Sequence, residues 1–598
     1  VTVALPACLA AAHAANVGDA AHDEAALRAL GLGWTGGLRA LDAPWCGLFA
    51  WLPVGTRALR ATLASAAACG VGSGVLFVIA RALLARVRSS GAANAHVGDV
   101  VAAVVALAAT LSPSWQLEAA APAGGTLGAT LALLPAAIAI AGAREEETGH
   151  PARLPLLAMT LGVALSYEPL VGLAAFASAA AWIALAGAEE RRVLLGKGAV
   201  SKGAAAFALG LTPFVVQLAR RGSPLALGAG VFVGFSGERG ESVAGMPLAL
   251  VRDDVGVVSC LFVVVGGALG ARVVGARPAV GALAAIAGAG LVAMAFGASA
   301  GPTRYGAPVL AGVGAAYALA GAAMQGLVEV VAEAKVPFAR ASAAMILVLE
   351  AVLPARAADD SSARAEERPR WAGETWDEAA WGALPAGAVV LVRDPRVEAR
   401  LYAERATGEL RADLALVPLF DLAGRGALRE LARDPKLTPI WRDAALLGAQ
   451  EESSLSALAQ ERPLVAAYDP AWDRALARHL VPVGLFARFE PEPRGGSDRR
   501  RALDDLSPTV NPISGSAVLP SQRDRLAQAI EGDPELLGLT VHLLRARVIA
   551  LAAASERDVV AHAVDDLRPF SPRDTVAAEL VRRMATSRGA IDVKDLAP

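Results

Sequence analysis

Between Ala61 and Pro354 the chain is a succession of apolar runs of about 15 to 22 residues, the length at which a helix crosses a hydrocarbon core of ~30 Å. Lipid offers no partner to backbone N–H and C=O groups, so runs of this kind are helices that satisfy their own hydrogen bonds. The whole-chain figures agree: a mean hydropathy of +0.47 with 19% charged residues is too apolar for a water-soluble chain of this length unless the apolar residues are set aside for a membrane. Beyond Ala358 no comparable run recurs, and the sequence divides there.

The candidate spans are 61–83, 98–114, 125–143, 154–167, 169–187, 203–219, 255–271, 278–297, 307–329 and 337–355. Val1 to Ala15 is apolar and lacks a basic n-region, which reads as the remnant of a first spanning helix rather than as a signal peptide. The sequence therefore predicts an α-helical polytopic bundle of about 10–11 transmembrane helices over residues 1–356. Alternate short loops carry Arg86 and Arg88; Arg144 and Arg153; Arg191, Arg192, Lys197 and Lys202; Arg272 and Arg277; Lys335 and Arg340. The positive-inside rule assigns these to the cytoplasm. The opposite set, 17–58, Trp115 to Gly124, Ser166 to Pro169, 220–254 and Ala298 to Pro308, then faces outward. An odd number of spans sends the C-terminal part outward too. The expected location is a bacterial inner membrane, crossed many times, with a periplasmic C-terminal domain.

After a charged linker at 357–370, short β-branched runs at Ala388 to Val392, Leu414 to Val417 and Leu464 to Ala467 alternate with helical patterns at Val397 to Thr407 and Trp472 to His479. This predicts a water-soluble α/β domain over 371–490. A loop at 491–520, rich in Pro, Ser and Gly, leads into a helical C-terminal tail at 521–598 read as amphipathic helices. Trp371, Trp376 and Trp381 read as a core or membrane-surface contact. A net charge of −2 gives no support to nucleic-acid binding. The four cysteines have no metal-ligand spacing, and packing is their expected role.

Charge at the outward side of an apolar bundle is where chemistry is expected. The densest such segment is Gly18-Asp19-Ala20-Ala21-His22-Asp23-Glu24. A carboxylate there can serve as general base toward a hydroxyl, help hold a divalent metal beside a phosphate, or cap the helix running on through Leu30. Tyr167-Glu168 is a second candidate, an acidic residue at the edge of a span. Arg304-Tyr305, between two spans, suits either a lipid phosphate, which a guanidinium grips bidentately, or an interfacial anchor. Asp253-Asp254 and Glu238 to Glu241 read as solvated loop charge.

Gly18-Asp19, Leu30-Gly31, Leu48-Phe49-Ala50-Trp51-Leu52-Pro53-Val54-Gly55 and Arg60 to Ser65 stand in the order and spacing of the N-terminal signature of the bacterial membrane family DUF2723, which they resemble. That family is related to eukaryotic protein O-mannosyltransferases of GT-C type. Ser112-Pro113-Ser114-Trp115 and Leu161-Gly162-Val163-Ala164 resemble its further blocks. Leu384-Pro385-Ala386-Gly387-Ala388-Val389, Leu401-Tyr402, Arg411-Ala412-Asp413-Leu414 and Arg462-Pro463-Leu464 resemble its periplasmic part. The resemblance runs over residues 1–490 as a diverged member. His22 stands where the family has a glutamate, Trp34 to Arg39 replace its His-Pro-Pro-Gly-Tyr-Pro block, and Tyr167-Glu168-Pro169 replace its His-His-Pro.

The resemblance implies a GT-C-like membrane glycosyltransferase that takes sugar from a polyprenyl-phosphate donor to a protein or glycan acceptor at the outer face. Asp19 would be the catalytic carboxylate, with Glu24 and Glu168 beside it, and His22, Arg304 and Tyr305 would contact substrate. The alternative is a non-catalytic relative whose bundle anchors a periplasmic binding domain. A transporter is disfavoured because no internal repeat is visible and mid-span charge is nearly absent.

Overall fold

The computed structural model describes residues 1–13, 41–54, 57–87, 95–121, 124–142, 153–188, 191–192, 197–221, 255–295, 306–333, 345, 372–394, 397, 400–401, 411, 413–419, 422, 428, 431–467, 472, 474–505, 522–531, 534–554, 557–586, 591–593 and 595–596. It parts at Glu367–Arg368 into two compact units.

The first unit is all helix among its described residues: α1 Ala4–Ala12, α2 Asp42–Phe49, α3 Arg57–Val87, α4 Ala95–Thr110, α5 Pro113–Ala119, α6 Thr126–Gly142, α7 Arg153–Tyr167, α8 Pro169–Leu185, α9 Lys197–Gly210, α10 Thr212–Arg221, α11 Val257–Arg272, α12 Arg277–Ala295 and α13 Ala307–Glu333. Three of its segments, Leu59–Val87, Val274–Met294 and Ala307–Val331, are long and apolar enough to cross a membrane. Val97–Thr110 and Pro113–Ala119 pass together as one span bent by 65°. Thr126–Gly142, Arg153–Tyr167, Pro169–Leu185 and Ser259–Arg272 are apolar but shorter.

The unit is therefore an apolar multi-helix bundle of membrane type, and among the described residues three helices and one bent pair have the length and hydropathy of full spans. Helix α1 has nine residues, too few to cross. The run read as 203–219 is two helices, because Thr212-Pro213 restarts the chain after Gly210. The span at 337–355 and the linker at 357–370 lie outside the described residues, apart from Met345.

Small residues let the helices close on one another, the usual route to tight packing in lipid. A Cβ at Gly266 of α11 would sit 2.0 Å from the Leu319 carbonyl oxygen of α13, and one at Gly210 of α9 would sit 2.2 Å from the Met159 oxygen of α7. Leu76, Ile79, Ala80 and Leu83 of α3 and Leu310, Val313 and Ala318 of α13 lie in one buried core.

The second unit holds a five-stranded sheet of β1 Val389–Val392, β2 Ala415–Pro418, β3 Leu464–Ala466, β4 Leu480–Val483 and β5 Phe486–Phe489 in the order β2-β1-β3-β5-β4. Strand β1 runs parallel to β2 and β3, while β5 is antiparallel to β3 and β4. The three parallel strands are those expected from sequence. The β4–β5 hairpin was not expected; it turns on Gly484, whose φ is +53°, the left-handed region that glycine takes without cost. Around the sheet lie α14 Ala372–Asp377, α15 Thr438–Leu447, α16 Glu452–Glu461, α17 Arg474–Ala477, α18 Gly496–Asp504, α19 Gln522–Ile530, α20 Pro534–Ala553, α21 Arg557–Leu567 and α22 Thr575–Thr586.

Two features here differ from expectation. Residues 496–504, within the stretch read as loop, form α18, where buried Arg499 donates to the Leu480 oxygen at 2.9 Å. Helix α20 is not amphipathic: Leu536–Ala553 would pass as a span by length and hydropathy, yet 78% of that window is buried inside the unit. It contributes Leu543 and Leu544 to a core shared with Val390 and Leu416, and Val548 and Ile549 to one shared with Val389 and Leu464. A helix covered on all sides needs no polar face.

Trp376 and Trp381 are fully buried, as a core role requires. Trp381 stacks on Phe486 at 5.2 Å, and the Trp376 indole donates to the Thr540 hydroxyl at 3.0 Å. Three motifs far apart in sequence meet before β1. Arg411, in left-handed backbone at φ 55°, donates to the carbonyls of Trp381, Leu384 and Pro385 and to Asp413. The Gly387 N–H donates to Asp413 at 2.6 Å, and Arg462 donates to the Gly387 oxygen and to Asp434. The Arg411 hydrogen bond, then that of Gly387, holds the Asp413 carboxyl down at about 2. These arginines satisfy loop carbonyls that would otherwise lack partners where the chain enters the sheet.

Candidate functional site

Arg86 and Arg153, from two of the loops read as basic, come together at one end of the first unit. Arg86, at the end of α3, donates to the Ile140 oxygen at 2.8 Å and the Gly275 oxygen at 3.1 Å, and Arg153 donates to the Ala139 oxygen. The opposite end is lined by buried polar side chains, and its organising element is the break between α4 and α5.

That break follows from Ser112-Pro113. A residue before proline is steered out of the helical region, and Ser112 is extended at ψ 153°, while Pro113 is pre-set for the first turn of α5. Thr110 adds a back-bond to the Ala106 oxygen at 2.8 Å, a contact that bends helices. The carbonyl of Thr110, stranded by the break, accepts from the Gln116 amide at 2.7 Å. Trp115 is fully buried and donates to the Leu310 oxygen at 2.9 Å, tying α5 to α13.

Glu118, one turn on from Trp115, is 4% exposed. Its Oε2 accepts from the Gly125 N–H at 2.7 Å. Gly124 packs so closely that a Cβ there would fall 1.8 Å from the Glu118 carbonyl oxygen. The Gly124 N–H donates to the Ser65 hydroxyl at 3.1 Å, and the Thr126 hydroxyl donates to the Ser65 oxygen at 2.9 Å. Helices α3, α5 and α6 are thus stitched together around one buried carboxylate.

Tyr167 and Glu168 belong to the same end. The Tyr167 ring lies so close to Gly128, in the first turn of α6, that a Cβ there would be 2.5 Å from Cε1; the Ala307 methyl would be 2.6 Å away. Glu168 is half-buried in an extended residue between α7 and Pro169 of α8. Asp42, 2% exposed, opens α2, whose Trp45 donates to the Ala64 oxygen at 2.8 Å.

Of the residues expected from sequence, Glu168 is the one that the structure describes; Asp19, His22, Glu24, Arg304 and Tyr305 lie outside the described residues. Glu118 and Asp42 were missed. The signal for Glu118 was a carboxylate in the short segment after Ser-Pro-Ser-Trp, which the sequence assigns outward and which was read only as a turn. Among the described residues no three of His, Cys, Asp and Glu come together as a metal site. Chemically, this end offers carboxylates beside apolar helices, suited to accepting a proton from a hydroxyl or facing a developing positive charge. No protein-family model matches the chain, and no curated protein does.

Proposed function

We propose that the chain is an integral-membrane glycosyltransferase of GT-C-like type that moves a sugar from a polyprenyl-phosphate donor to a protein or glycan acceptor at the outer membrane face. The observation that carries this reading is Glu118, a buried carboxylate on a broken apolar helix, at the same bundle end as Tyr167 and Glu168. Burying a carboxylate is costly unless it is paired or used. The resemblance in the first loop, at Gly18-Asp19, adds a third acidic residue on the outward side.

In the reaction, an acceptor hydroxyl attacks the anomeric carbon and the bond from that carbon to the phosphate oxygen breaks. The polyprenyl phosphate leaves with the bonding pair, and the hydroxyl proton passes to a carboxylate. Asp19 is the first choice for that base, with Glu118, Glu168 and Glu24 as the other acidic candidates. Arg304, with Tyr305 and His22, would receive the donor phosphate, since a guanidinium matches its oxygens. The proposed setting is a bacterial inner membrane with residues 371–598 in the periplasm.

A second reading has its own support: Glu118 already accepts from Gly125, so its carboxylate can be purely structural in a non-catalytic, membrane-anchored binding protein. Transfer of radiolabelled sugar from a panel of polyprenyl-phosphate donors, in membranes carrying wild type, Asp19→Asn, Glu118→Gln or Glu168→Gln, separates the two. The amide oxygen introduced by Glu118→Gln can still accept from Gly125, so an inserted variant that loses transfer has lost a charge and not a turn. No transfer by wild type across the panel supports the non-catalytic reading.

A further inference from the structure

From Ala43 to Val54 the chain carries no charged residue, and the helix α2 within that stretch has one face on the protein and one face bare. Toward the bundle, Cys46 packs with Ala61 and Ala64 of α3, with Trp45 and Phe49 beside them. The Trp45 and Phe49 ring centres are 5.7 Å apart, and the Trp45 indole donates to the Ala64 oxygen at 2.8 Å. On the other side Leu48 is 66% exposed and Trp51 89%, and Leu52 and Val54 are exposed with them. Large apolar side chains left bare together in one short stretch mark a contact with protein or with lipid.

Position selects lipid. The apolar segment Leu59–Val87 of α3 has 29 residues, a length of about 43 Å at ~1.5 Å per residue, against a hydrocarbon core of ~30 Å. The usual tilt of about 20° shortens its reach by only a few Å, so its terminal turns stand in the headgroup layers. The first of those turns is where α2 rests. Arg60 lies there too, and its Nη1 donates to the Ala50 oxygen at 2.7 Å, just before Trp51. An arginine beside a tryptophan at the start of a span suits the membrane interface, where the guanidinium keeps to the polar side and the indole takes the boundary with the acyl chains. Helix α2 has eight residues; at about 12 Å it is too short to cross and fits an element lying along the surface.

We propose that Leu48, Trp51, Leu52 and Val54 form a lipid-docking face that seats α2 at the boundary between phospholipid headgroups and acyl chains. The seat has a consequence for the Glu118 end of the bundle. Ala64, which accepts from Trp45, is followed by Ser65, whose hydroxyl and carbonyl hold Gly124 and Thr126, so the docked helix sets the depth of the turn that meets Glu118. This inference rests on the chain lying in a membrane and is independent of any sugar transfer.

The chain has ten tryptophans, so Trp51 is read by difference: the emission of wild type less that of Trp51→Phe, both full length in phosphatidylcholine nanodiscs. Phenylalanine keeps the face apolar and leaves the packing of α2 on α3 untouched. Discs of phosphatidylcholine brominated high on the acyl chain are expected to quench the difference emission about twofold, and discs brominated near the chain end less. Leu48→Trp in the Trp51→Phe background puts a second reporter one turn away on the same face and is expected to follow the same order. Stronger quenching by the deep bromines overturns the seat at the headgroup boundary. Equal emission in brominated and plain discs, for both reporters, overturns lipid docking altogether; two copies per disc by native mass spectrometry would then assign the face to a second copy of the chain, and one copy would assign it to residues 14–40 of the same chain.

Discussion

The most demanding test of the second unit is its buried ion pair. Asp377 and Arg400 are 3% and 4% exposed and meet through two hydrogen bonds, Nε to Oδ1 at 3.0 Å and Nη2 to Oδ2 at 2.9 Å. The Trp381 indole donates to the same Oδ1 at 3.1 Å, and the guanidinium lies 4.6 Å from the Trp376 ring centre. Arg400→Met leaves a carboxylate out of water without its cation, which costs about 3–5 kcal/mol. Asp377→Asn strands the guanidinium and has the same order of cost, about 3–5 kcal/mol.

Asp377→Leu/Arg400→Met removes both charges together and takes an acceptor from the Trp381 indole, an unmet hydrogen bond costing about 1–3 kcal/mol. The double variant is therefore expected to be more stable than either single one. Pulse proteolysis of full-length protein in detergent across a urea series, following the fragment that contains residues 372–598, reads this order directly. A double variant destabilised by the sum of the two single effects would refute the reasoning, because it would mean that each side chain acts through packing and not through its charge.

Gly124→Ala must displace the Glu118 carbonyl, 1.8 Å from where the new methyl falls, whereas Gly47→Ala of α2 meets nothing within 4 Å. The first is expected to cost about 1–3 kcal/mol or more and the second under about 1 kcal/mol, measured as aggregation temperature in detergent. Gly484→Ala combines a φ of +53° with a Cβ 2.6 Å from the Ala379 oxygen, and should lower the same temperature by loosening the β4–β5 hairpin. Asp413 gives a pH signature. Its folded carboxyl is lowered from 3.8 to about 2, first by the Arg411 hydrogen bond, so it stabilises the unit fully above pH 4 and the contribution is lost as pH falls through about 2. Peptic cleavage between pH 4 and pH 2 should therefore rise more steeply in wild type than in Asp413→Asn, and parallel profiles would deny Asp413 that role.

The parallel half of the sheet was legible because Val389–Val392, Ala415–Pro418 and Leu464–Ala466 are short β-branched or leucine-rich runs bounded by turn residues. The antiparallel half was not. Leu480-Val481-Pro482-Val483 carries a proline, which argues against a central strand, but β4 sits at the sheet edge, where proline is tolerated. Helix α20 misled in the other direction, since all-round burial in a core and exposure to lipid produce the same apolar pattern. The bundle's helices were legible from hydropathy, but not their breaks, because the bend after Thr110 and the restart at Thr212 depend on where a proline falls within an apolar run.

The candidate site was harder to read because its clearest carboxylate is held by backbone geometry. Nothing in the composition of Trp115-Gln116-Leu117-Glu118 separates it from an interfacial turn. What makes Glu118 distinctive is that Gly124 and Gly125 bring a backbone N–H to within 2.7 Å of its carboxylate, and that Ser65, on the earlier helix α3, orders the same two-glycine turn. Such an arrangement is specified by close approach and not by side-chain type. An amide at position 118 keeps the ability to accept the Gly125 hydrogen bond and removes the charge. The comparison of Glu118→Gln with wild type therefore asks whether that charge has a use: a variant at least as stable as wild type, and without transfer, would place the carboxylate in the chemistry, whereas a less stable one would place it in the fold.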